Sequence, residues 1–488
     1  MTALFSKKIF WFYFISVSYL LISIYFIYKD NYIPLLIPVA LLIILVAIFA
    51  FDKLIYLIAF FVPLSLPLSE FMPQLDINMS LPTEPLLLGI LLIFIIKVLY
   101  EGNFDKKILV HPVSLLIYLQ LLWILITSIT STMPVVSFKF LLSRLWFLAS
   151  FYFLFVYLFK DTNKFKRIIW LYSISLLIVI GYTLLRHSHY GFFDQEAANF
   201  VSSPLYNDHT AYGAALGMIF CILTAFMFLK KVAIWQKIIT LSFLVIVSIA
   251  IIFSYTRATW ISMLIGLGFM IIMVFRIKFK FILLFIVVIF SLTALFWTDI
   301  VMSLERNRQD SSSDFAQQIQ SISNISTDAS NMERLNRWNC AIRMFKEKPI
   351  FGWGPGTYMF QYAPFQMSYE KTIISTNAGD KGNAHSEYLG PLAESGILGA
   401  ISMILIIIAT LYYAVHLYHK KLDFNIKVLL LGTLIGLITY YIHGILNNFL
   451  DTDKLSILFW GFTAFIVAVD LYHGKIENSD KLSEKNEE

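Results

Sequence analysis

The sequence predicts an all-α, polytopic integral membrane protein with about 12–14 transmembrane helices. Hydrophobic residues make up 59% of the chain, charged residues only 14%, and the mean hydropathy is +0.75. Apolar runs close to the length of a membrane-spanning helix recur from end to end. Runs such as 35–51 and 281–297 are apolar on every face, so they do not alternate as the strands of a membrane barrel do. Helices are therefore predicted for the spans.

The spans can be placed one by one from these apolar runs. They are predicted at 9–28, 33–51, 54–69, 84–100, 112–131, 139–159, 167–185, 208–229, 236–254, 258–275, 279–297, 396–417, 427–446 and 454–472. The third is short and contains prolines, so one span fewer remains possible. Lys7 and Lys8 precede an apolar stretch as in a signal peptide, but no small-residue cleavage site follows Tyr28. The first helix is expected to be retained.

Lysine and arginine in the short loops predict the orientation. Basic residues stay on the cytoplasmic side, and here they alternate with nearly uncharged loops. They are Lys106, Lys107, Lys160, Lys164, Lys166, Arg167, Lys230, Lys231, Lys237, Arg276, Lys278, Lys280, Lys420, Lys421 and Lys427. We expect both termini in the cytoplasm and a large periplasmic loop with short helices. This gives N-terminal membrane helices over 1–297, the loop over 298–395, C-terminal membrane helices over 396–472 and a cytoplasmic tail over 473–488.

The charge and the cysteine content argue against a nucleic-acid-binding protein and against a disulfide-stabilised one. The net charge of +6 follows from the orientation, and no nucleic-acid-binding motif is present. Two cysteines, one in a predicted helix and one in the loop, predict no disulfide framework. Within the loop, 306–331 is rich in Ser, Gln, Asn and Asp and predicts a flexible stretch or a partner surface. A helix is predicted to follow near 331–348.

The end of the loop concentrates groups that can do chemistry. Residues 383–399 read Asn-Ala-His-Ser-Glu-Tyr-Leu-Gly-Pro-Leu-Ala-Glu-Ser-Gly-Ile-Leu-Gly, directly before an apolar run. His385, Glu387 and Glu394 are thus expected at the membrane surface. A lone loop histidine is more often structural than catalytic, but its place between Asn383 and the Glu394–Gly396 turn favours a catalytic interpretation.

A second block lies earlier in the loop. Hydrophobic residues recur at helical spacing in 333–348, and Arg334, Arg337 and Lys348 add positive charge before Pro349 and the glycines at 352, 354 and 356 end the helix. Such a helix can simply lie on anionic headgroups. The alternative is a phosphate clamp, because the guanidinium fork donates two parallel hydrogen bonds to phosphate.

The third block, Phe-Ser-Tyr-Thr-Arg-Ala-Thr-Trp at 253–260, forms the outer turn between two predicted helices. Arg257 there can snorkel to headgroups, but the neighbouring hydroxyls favour a polar cavity. Arg144, inside a predicted span, is a functional candidate or half of a charge pair.

Together the three blocks resemble the O-antigen ligase and O-antigen polymerase superfamily of integral membrane glycan transferases. Ser254-x-Thr256-Arg257 is similar to the family's membrane arginine motif. Arg334-x-x-x-Trp338 with the glycines at 352–356 is similar to the start of its large periplasmic loop, and His385-x-x-Tyr388 with Glu394-x-Gly396 to its end. Asn-Asp-His at 207–209 is a weaker fourth element. The detailed resemblance covers about 207–399, and the first 200 residues match only as membrane spans.

The resemblance implies transfer of a glycan from a polyprenyl-diphosphate carrier to an acceptor hydroxyl at the periplasmic face of the bacterial inner membrane. Fixed cations stabilise a departing diphosphate, and Arg257 and Arg334 are the candidates. His385 is the candidate general base, with Glu387 a less favoured alternative. Substrate-binding candidates are Glu394, Tyr388, Trp338, Arg337 and His209.

The acceptor class stays open at the level of sequence. A glycan, a lipid A core or a protein would make the enzyme a polymerase, a ligase or a protein O-oligosaccharyltransferase, and membrane lipids but no nucleic acid are expected as further partners. A lipid-linked oligosaccharide flippase or other transporter is the alternative from another class, although it needs no large loop with a histidine. Asp451-x-Asp453 has the spacing of a divalent-metal motif, but two acids in a short turn are usually only solvated charge. We expect a metal-independent enzyme without a cofactor, and His443 as a buried structural histidine.

Overall fold

The computed structural model describes residues 2–29, 38, 51–70, 79–101, 104–278, 329–372, 375–376 and 382–474. The chain divides into two compact units, residues 1–58 and 59–488. The long helix α1 (Thr2–Tyr28) belongs to the first unit. All the candidate residues belong to the second unit, which is therefore the part that matters for function.

Helices dominate the described part of the chain, and two short strands are its only sheet. After α1 the helices are α2 (Phe51–Phe61), α3 (Thr83–Glu101), α4 (Lys106–Leu109), α5 (Pro112–Ile129), α6 (Pro134–Leu158), α7 (Thr162–Tyr190), α8 (Gln195–Ala198), α9 (His209–Met227), α10 (Ile234–Phe253), α11 (Arg257–Phe275), α12 (Ala329–Glu347), α13 (Tyr358–Gln361), α14 (Leu389–His419), α15 (Phe424–Leu446) and α16 (Asp453–Tyr472). Strands β1 (Leu66–Pro67) and β2 (Ser80–Leu81) pair antiparallel. Helix α6 contains a π-helical turn at Ala149–Phe153.

Ten helices of the described residues are long and apolar enough to cross a membrane, which confirms the predicted class. They are the apolar part of α1 together with α5, α6, α7, α9, α10, α11, α14, α15 and α16. The predicted span 84–100 is also helical, as α3. The predicted spans 33–51 and 279–297 and the polar stretch 306–331 fall largely or wholly outside the described residues.

One predicted span boundary is wrong, and another is confirmed by a kink. The span expected at 54–69 is helical only as far as Phe61, because the following segment with Pro63 and Pro67 turns into a 3₁₀ helix and strand β1. The span expected to begin at 396 is confirmed, because α14 is kinked at Gly396, whose φ of 67° and ψ of −167° are not helical. The segment from Leu389 to this kink is helical as well, which the sequence did not predict. Glu394 therefore lies in the first turns of a helix rather than in a loop before it.

Local sequence explains where the other helices begin. Proline occupies the first turn of α5 and α6, where the missing N–H is not needed. The carboxylates of Asp161, Asp208 and Asp423 accept backbone N–H groups at the starts of α7, α9 and α15. These caps fix the ends of three membrane helices at residues that the hydropathy profile alone does not identify.

The membrane core is built around α9, α15 and α16. Helix α9 packs against α15, which also packs against α11 and α16. Small residues allow this close approach: a Cβ on Gly432 would lie 2.5 Å from Cβ of Ala225, and one on Gly436 would lie 2.7 Å from the Phe462 ring. The candidate site lies where the starts of α9 and α11 meet the end of α15.

Residues 329–388, here named the cap segment, connect to this bundle through the start of α14. Its helix α12 confirms the helix predicted near 331–348, and Pro349 and the glycines end it as expected. A small apolar core holds the cap segment on α14: Cys340, Ala341, Met344, Tyr358, Tyr362, Ala384 and Ala393. The described part of the cap segment is therefore a packed structure that fixes the positions of its polar side chains.

Candidate functional site

The structure brings together residues from separate sequence blocks. The charges of Arg334 on α12 and Asp208 before α9 both lie close enough to His385 to change its pKa. Arg334 and Asp208 are also within electrostatic range of His209, as is Arg257. Residues distant in the chain thus form one polar group at the starts of α9 and α11, next to the cap segment.

The backbone of His385 is held in an unusual conformation. Its φ of 48° lies in the left-handed region, which costs energy for a residue with a Cβ. Asn383 Oδ1 accepts the His385 N–H at 3.1 Å, and Trp338 Nε1 donates to the His385 carbonyl at 3.2 Å. In the described part of the chain the imidazole itself forms no hydrogen bond. The hydrogen bonds therefore hold the His385 backbone and not its ring.

The electrostatic environment keeps the His385 ring neutral. Burial lowers its pKa from 6.5 to about 4, and the positive charges of Arg334 and Arg337 act in the same direction. Asp208 and Glu333 oppose them but do not reverse the shift. Near pH 7 the ring therefore carries a free lone pair, which a general base requires.

Glu387 has a structural position, two residues further along. Its Oε1 accepts hydrogen bonds from Tyr440 Oη at 2.6 Å and from the N–H groups of Phe449 and Leu450 at 2.6 and 2.9 Å. The Glu387 N–H donates to the Gly444 carbonyl at 2.8 Å. This carboxyl group ties the end of the cap segment to α15 and to the connection before α16.

The two arginines of α12 have different environments. Arg337, which is 3% exposed, donates to Glu333 Oε1 at 2.6 Å, and its guanidinium carbon lies 3.8 Å from the centre of the Tyr362 ring. Although burial acts to raise the pKa of Glu333, hydrogen bonds from Ser375 and Arg337 outweigh it and lower the pKa. Arg337 is thus half of a buried ion pair. Arg334 is half-buried and lies beside the histidines.

The turn between α10 and α11 packs directly on the start of α9. Tyr255 has a φ of 50°, and Thr256 Oγ1 donates to the His209 carbonyl at 3.2 Å. A Cβ on Gly213 would lie 2.6 Å from Thr259 Oγ1, so only glycine allows this approach. The predicted hydroxyl cluster therefore positions Arg257, the first residue of α11, next to His209.

Glu394 organises the glycine-rich turn after α12. Its Oε1 accepts the Tyr358 N–H at 2.9 Å, and its carbonyl accepts the Gly354 N–H at 2.8 Å. On the other side of the turn, Thr132 Oγ1 donates to the Trp353 carbonyl at 2.7 Å. The conformation requires glycine, since Gly354 has a φ of 117° and a Cβ there would lie 1.9 Å from a serine hydroxyl. Glu394 thus joins the cap segment to α14.

Tyr388 and Trp338 also donate hydrogen bonds to backbone carbonyls. Tyr388 Oη donates to the Tyr441 carbonyl at 2.8 Å. Trp338 is half-buried, and its indole N–H is bound to the backbone of His385. Trp338 thus holds the His385 backbone, and Tyr388 attaches the end of the cap segment to α15.

Asp451 and Asp453, the acidic pair after α15, contact two different partners. Arg144 Nη2 lies 3.0 Å from Asp451 Oδ1, so this arginine is half of a charge pair, as one of the sequence interpretations predicted. Asp453, which is 1% exposed, accepts a hydrogen bond from Thr83 on α3. Among the described residues, no group of three or more His, Cys, Asp or Glu side chains is arranged to hold a metal ion.

Three polar residues near the site were given no role in it by the sequence-based predictions. Asp208 caps α9 through Thr210 N–H at 2.7 Å and lies 3.5 Å from His209 Nδ1. Near the end of α15, His443 Nε2 lies 3.2 Å from Nδ2 of Asn447, the residue that follows this helix. The Asp-His sequence before an apolar run is the cap signal that could have identified Asp208. His443 and Asn447 carry no such local signal, because only the packing of α15 on α9 brings them there.

Residues 242–404 match the family model described as O-antigen ligase. The match includes the Arg257 turn, α12 and the His385 segment. The predicted superfamily is confirmed over these residues. A search of curated proteins finds no match. The O-antigen ligase match supports a membrane enzyme of the glycosyltransferase type with a role in polysaccharide biosynthesis, acting on lipid-linked glycan and acceptor substrates.

Proposed function

We propose that the protein transfers a glycan from a polyprenyl-diphosphate carrier to an acceptor hydroxyl at the periplasmic face of the bacterial inner membrane. The observation that carries this proposal is Arg334 within electrostatic range of a neutral His385, both in a segment that matches the O-antigen ligase family. A cation for a departing diphosphate and a base for an incoming hydroxyl are the two groups that such a transfer needs.

Arg334 and Arg257 act on the leaving group in this scheme. Cleavage of the glycosyl–diphosphate bond leaves negative charge on the phosphate oxygens. Guanidinium groups fixed on α12 and α11 stabilise that charge without reorganising, and each can form paired hydrogen bonds with phosphate. The scheme assigns this step no metal ion, and the orientation predicted from lysine and arginine supports a location outside the cytoplasm.

His385 removes the proton from the acceptor hydroxyl as the new glycosidic bond forms. Burial and Arg334 lower its pKa in the free protein, which keeps it unprotonated but weakly basic. A bound diphosphate compensates the charge of Arg334 and so raises the basicity of the imidazole. Donor binding therefore prepares the base, and a glycan or a lipid A core that reaches the ring is then a suitable acceptor.

The deciding experiment is reconstitution of the purified protein with a purified polyprenyl-diphosphate-linked glycan and candidate acceptors. We expect transfer by the wild type and a loss of about 10²–10⁴-fold in rate for His385→Ala, because only proton removal is lost. The control is His419→Ala, an exposed histidine at the far end of α14, which should keep wild-type activity. Activity should persist in chelator.

Four results would contradict the proposal. Full transfer by a stable His385→Ala protein would exclude the base, and rescue of a chelated enzyme by magnesium or manganese would exclude the metal-free scheme. Movement of the lipid-linked glycan across the bilayer without transfer would instead favour a flippase. A periplasm-active reporter that is active after Lys421 and inactive near Ser312 would reverse the orientation.

A further inference from the structure

The ion pair of Arg144 and Asp451 holds a carboxylate in a fixed and accessible position. Arg144 Nη2 lies 3.0 Å from Asp451 Oδ1, and Arg144 Nη1 donates to the Leu450 carbonyl at 3.3 Å. The arginine side chain is only 12% exposed, whereas that of Asp451 is 51% exposed. A carboxylate can accept about four hydrogen bonds. Asp451 therefore keeps accepting capacity for a ligand, in an orientation that Arg144 sets.

This carboxylate lies in a recess rather than on an open surface. Arg144 is ten residues after Pro134, so it lies about 15 Å along the axis of α6 from the helix start. The glycine-rich turn of the cap segment rests nearer that start, where Ser137 Oγ donates to the Pro355 carbonyl at 2.9 Å. Asp451 thus lies farther from the start of α6 than this turn does. The protein packed around Asp451 raises its pKa, although Arg144 acts to lower it, which also indicates a recess.

The recess and the proposed diphosphate position have different charges around them. Asp451 is within electrostatic range of Glu387 and Glu394, whereas Arg334 is within range of His385. Carboxyl groups therefore surround the recess, and cations surround the diphosphate position. Because Asp451 also balances the charge of its own arginine partner, the recess favours a neutral ligand over a phosphate.

The recess is connected to the proposed base through Glu387. Glu387 Oε1 accepts the N–H of Leu450 at 2.9 Å, and Leu450 directly precedes Asp451. His385 is two residues before Glu387 in the chain. The proposed base is thus within electrostatic range of Arg334 and is joined by a short connection to the recess. A transfer from a diphosphate to a hydroxyl requires both neighbours, because the base takes a proton from the acceptor while the diphosphate departs.

We propose that the recess beside Arg144 binds the acceptor sugar, and that the Asp451 carboxylate accepts hydrogen bonds from its hydroxyl groups. The ligand class is a neutral saccharide, because an oriented carboxylate accepts from sugar hydroxyls and repels phosphate. Arg144 is a positioning residue, since it acts on the sugar only through Asp451. This inference rests on the proposed function and gives the acceptor a place separate from the arginines that bind the donor.

Aspartates at the two ends of α15 provide a matched pair of variants. Asp451→Asn keeps the shape and an oxygen for Arg144 but loses the negative charge. We expect a Tm near that of the wild type and a KM for the acceptor raised about tenfold, since hydrogen bonds to charged groups are the stronger ones. KM for the donor should not change. Asp423→Asn changes another exposed aspartate, at the start of α15, where asparagine still caps the helix, and should leave both KM values unchanged.

A second variant separates acceptor binding from a purely structural ion pair. Exchange of the two residues, Arg144→Asp together with Asp451→Arg, restores the pair but moves the carboxylate to α6. We expect Tm to stay near that of the wild type while the acceptor KM remains raised. The assays use the full-length protein, with sugar-free undecaprenyl diphosphate for binding. Transfer from the glycan-linked donor is measured with lipid A core and with a lipid-linked glycan repeat as acceptors.

An unchanged acceptor KM in Asp451→Asn would overturn the inference. Recovery of the acceptor KM in the exchanged variant would also overturn it, because the ion pair would then be structural. An equal rise in the donor KM with weaker binding of undecaprenyl diphosphate would place Asp451 on the donor side and would overturn it as well. In these three cases the wild type transfers glycan, so only this inference fails. Absence of transfer to either acceptor by the wild type would refute the proposed function itself.

Discussion

Substitutions of Glu387 test whether this residue supports the structure around His385 or acts on the substrate. The sequence allowed Glu387 as an alternative base, but in the structure one of its oxygens accepts hydrogen bonds from Tyr440 and from the N–H groups of Phe449 and Leu450. Burial, together with the charge of Asp451, raises the pKa of Glu387 to about 7. Its protonated form is therefore accessible at neutral pH, and glutamine resembles that form in shape and in its accepting oxygen.

The expected magnitudes follow from these contacts. Glu387→Ala leaves three buried donors without an acceptor, and each costs about 1–3 kcal/mol. Because such costs are not additive, we expect a loss of at least about 3 kcal/mol, a large part of the roughly 5–15 kcal/mol typical of native proteins. Glu387→Gln keeps the accepting oxygen and should cost less than about 1 kcal/mol.

Thermal unfolding and glycan transfer on matched preparations provide the assay. We expect Glu387→Ala to lower Tm by several degrees and to reduce transfer, because the segment that positions His385 loses its attachment to α15. Glu387→Gln should keep both Tm and most of the activity. A stable but inactive Glu387→Gln protein would refute this reasoning, since it would mean that the carboxylate acts on the substrate.

Three further predictions concern the arginines, the glycine turn and the pH dependence. Arg257→Lys and Arg334→Lys keep the positive charge but lose the guanidinium fork that forms paired hydrogen bonds with phosphate. Transfer and donor binding should therefore fall severely in variants with normal expression. Near-normal transfer by both variants would contradict the phosphate clamp. Gly354→Ala should lower Tm and expression, because the added Cβ would lie 1.9 Å from a serine hydroxyl and the φ of 117° is unfavourable for alanine. An unchanged Tm would disprove this close packing. A base must be unprotonated, so kcat/KM should fall only as the pH drops toward the His385 pKa of about 4. Arg334→Gln should move that acidic limb to higher pH in a pH–rate profile, and an unmoved limb would exclude the coupling.

Much of the candidate site was predictable because local motifs carry chemical information. Arg257 follows a run of hydroxyl residues at a helix boundary, Arg334 lies on an amphipathic helix, and His385 precedes a glycine-interrupted apolar run. Each signal is contained in a short window of sequence. The roles of Glu387 and Arg337 were not predictable in this way, because a side chain's burial and partners depend on residues far away in the chain.

The sequence by itself determined the membrane class, most of the helical spans and the residues of three motifs. Hydropathy and charge act within one segment, so they can be read before the segments are packed. Only the tertiary structure decided that Arg144 pairs with Asp451, that Glu387 holds the end of the cap segment, and that His443 and Asn447 adjoin the site. These facts depend on which helix ends meet. That pairing is set by close packing of small residues between helices, which no single segment specifies.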